Sequence, residues 1–74
     1  MTRTETLQKV QQAVFEETGI WATPDARIRT LVCDSLELAS MVQSIENLTG
    51  KDIPDEAAQV LSTVQDVVEY VEAH

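Results

Sequence analysis

Three stretches of this 74-residue chain repeat apolar side chains at steps of three and four, with polar residues between them. That spacing is the period of one helix face, and three such faces in a chain this short leave only one arrangement that hides them all, a bundle. The first face carries Leu7, Val10, Val14 and Phe15 and predicts a helix over residues 4–18, capped at its start by Thr4 or Thr2 and ended by Gly19. The second carries Leu38, Met41, Val42, Ile45 and Leu48, between Asp34 and Gly50. The third carries Val64, Val67, Val68 and Val71 and runs to about residue 72.

The helix starts are written into the sequence as capping boxes. In Asp34-Ser35-Leu36-Glu37, Asp34 is the N-cap and Glu37 stands at the third helical position; Thr63-Val64-Gln65-Asp66 repeats the pattern. Ile53-Pro54-Asp55-Glu56 predicts one more short helix through about residue 61, because proline suits a helix start. Residues 20–33 follow neither period cleanly. Ile20, Ile28 and Leu31 are read as the anchors that pack this connection down, with either a short strand or a single helical turn over 27–33. The expected fold class is all-α: a small antiparallel four-helix bundle, three main helices and one short one, forming a single domain over 1–74.

Charge narrows the partners. Thirteen acids stand against five bases, for a formal net charge of -8. Residues 1–33 sum to zero, whereas 34–74 hold nine acids and only Lys51. Such a surface excludes nucleic acid, whose phosphates need clustered Lys and Arg, and suits a basic protein partner. The single Cys33 cannot close an internal disulfide, and it is read as loop packing rather than as a reactive thiol. No apolar run approaches the roughly 20 residues of a membrane span, and residues 1–5 lack the apolar stretch of a signal peptide. A cytoplasmic, monomeric protein with no membrane partner is expected.

Catalytic machinery is not in view. His74 is the only histidine and the last residue; no glycine-rich phosphate loop is available from Gly19 and Gly50; one Cys and one terminal His do not make a zinc site. Asp52, Asp55 and Glu56 lack the alternating oxygen ligands and central glycine of a calcium loop. One constellation stands out. Ser35 follows the cap Asp34 at the positive end of a helix, where unsatisfied N–H groups and the macrodipole favour a phosphate joined to its hydroxyl.

Asp34-Ser35-Leu36 opening an amphipathic helix, Ile53-Pro54-Asp55-Glu56 about one helix later, and the closing Thr63 to Val71 block together resemble acyl carrier proteins over essentially the whole chain. The resemblance implies a non-enzymatic, freestanding carrier on which Ser35 receives 4'-phosphopantetheine from coenzyme A, through a Mg-dependent phosphopantetheinyl transferase. The arm's thiol then holds acyl groups as thioesters and shuttles them between enzymes of fatty acid, polyketide or related specialised biosynthesis. It further implies that Asp34, Glu37, Glu46 and Glu56, with Leu36 beside the arm, face basic patches of acyl-loading, condensing or transferase enzymes. Leu38, Met41, Val42, Ile45, Ile53, Leu61 and Val67 line the space between helices and are the candidates for an acyl pocket, with Met41 the most adaptable.

The chain departs from the family pattern at several positions. Val32 and Cys33 stand where glycine and an aliphatic residue are common, and Gln43, Asn47 and Thr49 thin the acidic face. Those changes favour a dedicated pathway over a housekeeping one. The alternatives are an unmodified acidic interaction module of the same fold and a calcium-responsive helical protein.

Overall fold

The computed structural model describes residues 2–73, so His74 lies outside the described residues. Five helices follow one another: α1 (Arg3–Thr18), α2 (Ile28–Leu31), α3 (Ser35–Thr49), α4 (Asp55–Val60) and α5 (Val64–Ala73). They form the expected small helical bundle, with α2 added as a single turn. Each boundary has a local cause. The Thr2 hydroxyl accepts from the Glu5 N–H at the start of α1. Gly19 (φ 76) and Gly50 (φ 73) take the left-handed conformation that ends α1 and α3, their amides donating back to the Phe15 and Glu46 carbonyls. At α5 both halves of the capping box are made: the Asp66 N–H donates to the Thr63 hydroxyl, and the Asp66 carboxylate accepts from the Thr63 and Ser62 amides.

The core forms where α1 packs on α3 and on α5. Val10, Ala13 and Val14 of α1 meet Met41 and Ile45 of α3 and Val64, Val67, Val68 and Val71 of α5, all buried. The α5 stripe is entirely internal, as its period predicts. In α1 the stripe is narrower than expected, because Phe15 lies on the outer edge and is half exposed.

The connection before α3 contains the largest corrections. Ile28 is buried and Leu31 packs against the core, but Ile20 is 51% exposed and is not an anchor. The reason is local: after Gly19 the Ile20 amide bonds the Thr18 hydroxyl, and the small Ala22 takes the next core position, held by a 2.8 Å bond from the buried Gln11 side chain to its carbonyl. Trp21 is turned outward against Phe15, with ring centroids 6.1 Å apart. Within residues 27–33 the helical turn takes Ile28–Leu31, and the strand alternative is reduced to one isolated antiparallel bridge between Arg27 and Thr63. The backbone around the start of the turn pairs with the α4–α5 connection: Ile28 N–H to Ser62 O, Val64 N–H to Ala26 O and Gln65 N–H to Pro24 O. Buried backbone groups must find partners somewhere, and here they find them across the bundle. No helix among the described residues is long and apolar enough to cross a membrane.

Candidate functional site

Ser35 is the first residue of α3 and is exposed. Asp34, in extended conformation before it, caps the helix by accepting the Glu37 N–H on Oδ1 at 2.8 Å. Among the described residues there is no return bond from the Glu37 carboxylate to the Asp34 amide, so only half of this capping box is made. Glu37 is thereby left facing solvent. The Ser35 hydroxyl makes no hydrogen bond within the described residues, and Leu36 beside it is 81% exposed. An accessible, uncommitted hydroxyl at the positive end of a fifteen-residue helix is what attachment of a phosphate requires.

Two depressions open at Ser35. A cleft of about 150 Å³ is walled by Ile28 of α2 and Val32 just after it, Leu38 of α3, and Ala58 of α4 and Leu61 just after it, and is lined also by Arg29, Cys33 and Asp34. A broader groove of about 810 Å³ runs between α3 and α4 past Leu38, Val42 and Ile53, with Arg29, Glu46 and Asp55 along it. Of the pocket candidates, Leu38, Val42, Ile53 and Leu61 therefore border these openings. Met41, Ile45 and Val67 do not; they are sealed in the core against α1 and α5. Ile28, Val32, Ala58 and Arg29 are cleft residues that sequence reasoning missed, since only the fold brings the α2 turn and α4 to the head of α3.

The acidic residues divide. Asp34, Glu37 and Glu56 are exposed, whereas Glu46 is half-buried and accepts the Ile53 N–H at 2.8 Å. Two departures are placed opposite to their reading in the sequence, which takes Thr49 as surface and Cys33 as packing. Thr49 is buried, one turn past Ile45 on the same helix face, and its hydroxyl donates to the Ile45 carbonyl at 2.7 Å; it is no part of the acidic face. Cys33 is exposed and does not pack, because extended backbone alternates its side chains and Val32 takes the inward position. No non-glycine residue among the described ones has positive φ, so the approach to α3 manages without the common glycine. No group of three His, Cys, Asp or Glu side chains converges among the described residues.

Comparison with known proteins matches residues 8–71 to the family model for the phosphopantetheine attachment site. The chain is also 38% identical to an acyl carrier protein of Rubrobacter xylanophilus, in an alignment that covers all of this chain and 96% of that one. The chain belongs to the acyl carrier protein family. A second relative, the acyl carrier protein of Helicobacter hepaticus, is 36% identical across 95% of this chain and 97% of its own.

As members of this family, acyl carriers are not enzymes; they hold 4'-phosphopantetheine covalently and are modified by phosphopantetheinyl transferases. The residues present fit that group: a free hydroxyl at the helix head, an open approach past Leu36, and an apolar-walled cleft directly beside it. When bound, the arm supplies a terminal thiol that carries acyl groups as thioesters, chemistry that belongs to the cofactor rather than to any side chain.

Proposed function

We propose that Ser35 is the attachment residue and that this acyl carrier shuttles intermediates between the enzymes of a specialised pathway, of the polyketide, unusual-lipid or aminoacyl kind, rather than serving bulk fatty acid synthesis. The observation that carries the first part is the position of Ser35: first residue of α3, exposed, its hydroxyl unbonded, at the mouth of both depressions. In the loading step the Ser35 oxygen forms the new P–O bond to the phosphate of the arm while 3',5'-ADP leaves from coenzyme A and the hydroxyl proton passes to the transferase.

The surface around Ser35 supports rapid, reversible visits. Asp34, Glu37 and Glu56 are exposed acids that attract a basic partner and raise its on-rate, while Leu36 offers a small apolar contact without a large sticky patch. Exposed Gln43 and Asn47 interrupt the acidic face farther along α3, which supports a narrower set of partners. Leu38, Leu61, Ile28, Val32 and Ala58 offer a cargo the nearest apolar wall. Met41, Ile45 and Val67 would touch it only if the core opened.

The test is to incubate the chain with coenzyme A, Mg²⁺ and a broad-specificity phosphopantetheinyl transferase and to weigh the product. A gain of one phosphopantetheine mass that Ser35→Ala abolishes supports the assignment. No gain with several transferases would overturn it in favour of an unmodified interaction module. Paired loading assays with fatty acyl and specialised acyl or aminoacyl ligases then decide the cargo; preferential turnover by fatty acyl enzymes would sink the specialised reading.

A further inference from the structure

The cleft and the groove at Ser35 share few residues, and one of them is Arg29. Among the described residues it is the only basic one that lines either opening. Its guanidinium is exposed and has no hydrogen-bond or carboxylate partner among the described residues, although Asp34, Glu46 and Asp55 line the same openings. An arginine beside three acids that pairs with none of them is available to an anion.

Its backbone position is fixed. Ile28, the preceding residue, is buried, and its amide is held by the Ser62 carbonyl; the Val32 amide closes the turn onto the Ile28 carbonyl, and Val32 is buried in turn. The single turn of α2 is thus pinned on both sides, and Arg29 projects from it at the head of α3. No such argument holds for the other cations: Arg3, Lys9, Arg27 and Lys51 line neither opening.

A phosphodiester on the Ser35 oxygen brings one negative charge into the acidic half of the chain, next to Asp34 and Glu37. The helix dipole offsets part of that repulsion. A guanidinium offsets more, since its planar fork of N–H donors matches phosphate oxygens two at a time. We propose that Arg29 is the positioning residue that binds the phosphate of the Ser35-linked arm and sets the arm's direction over the α2–α3–α4 cleft. The proposal rests on the assignment of Ser35.

The experiment uses the full chain as wild type, Arg29→Gln and Arg29→Lys, each converted to the loaded form and checked by mass, with amide NMR spectra of the unloaded forms confirming an unchanged fold. Phosphorus NMR then reads the phosphodiester, and the Arg29 Nε–Hε cross-peak reads the guanidinium. Loading shifts the Arg29 Nε–Hε peak in the wild type. Arg29→Gln displaces the phosphorus resonance, Arg29→Lys displaces it less, and raising the salt moves the wild-type resonance toward that of Arg29→Gln, as screening of an exposed pair requires. Identical phosphorus resonances in all three loaded proteins, with an unmoved Nε–Hε peak, overturn the role of Arg29 alone. Failure of the wild type to gain the arm's mass overturns this role and the Ser35 assignment together.

Discussion

The Glu46 carboxylate on α3 accepts a 2.8 Å hydrogen bond from the amide of Ile53, seven residues later in the connection to α4. Ile53 buries its side chain, so its amide is a donor that solvent reaches poorly, and the acid supplies the missing acceptor. A residue that reads in sequence as one more member of an acidic recognition face thus also holds the structure together, fixing how α4 leaves α3 and with it the floor of the groove beside Ser35.

Glu46→Ala should destabilise the fold by about 1–2 kcal/mol, the usual net worth of a hydrogen bond to a partly buried charged group. Glu46→Gln should lose less, because its amide oxygen still accepts. Urea unfolding checks this through the midpoint at unchanged slope. If Glu46→Ala unfolds at the wild-type midpoint, the bond does not hold the connection.

Asp34 combines a cap with a charge, and the two can be separated. Asp34→Ala removes the acceptor for the Glu37 amide and should cost about 1 kcal/mol, whereas Asp34→Asn, an equally good cap, should be nearly neutral in stability. Both should slow loading by a transferase, since both remove the charge next to Ser35. Full-speed loading of Asp34→Asn would show that the charge has no part in recognition.

Gln11 is a buried polar side chain whose bond to the Ala22 carbonyl holds the loop after α1. Gln11→Ala leaves that buried carbonyl without a partner, at a cost of about 1–3 kcal/mol. Because Ala22 adjoins Trp21, the loss should also appear as a change in Trp fluorescence before global unfolding. A single, unshifted transition by fluorescence and circular dichroism would contradict it.

Glu37→Lys reverses an exposed charge two positions from Ser35 and should slow loading strongly in dilute buffer and weakly near 0.5 M salt. The Debye length falls from about 30 Å at 0.01 M to about 3 Å at 1 M, so a docking attraction is lost over that range. A slowing of the same size at every salt concentration would point to a contact instead of a field.

Much of the fold was legible because its signals are local. The α5 valines repeat at the helical period and all four are buried; Gly19 and Gly50 end their helices as left-handed residues; Thr63 and Asp66 cap each other as their spacing predicts. The readings that failed concern residues whose neighbours are distant in sequence or whose pattern is broken. Ile20 and Phe15 looked internal by hydrophobicity alone, yet Ala22 occupies the core position. Thr49 looked like surface by polarity, yet it lies one turn beyond Ile45 and satisfies its hydroxyl on the helix backbone.

The sequence by itself determined the four longer helices, the caps of α1, α3 and α5, the uneven charge and the serine at the head of α3, because each follows from the period, side-chain chemistry or count of residues within one short segment; the α2 turn it left open. Only the tertiary structure decided which acids are free, which apolar residues border an opening, and which cation stands beside Ser35. Glu46 and Ile53, Gln11 and Ala22, and Arg29 and Ser35 are brought together by the path of the connections between helices, which the packing of the bundle sets and no periodic pattern encodes.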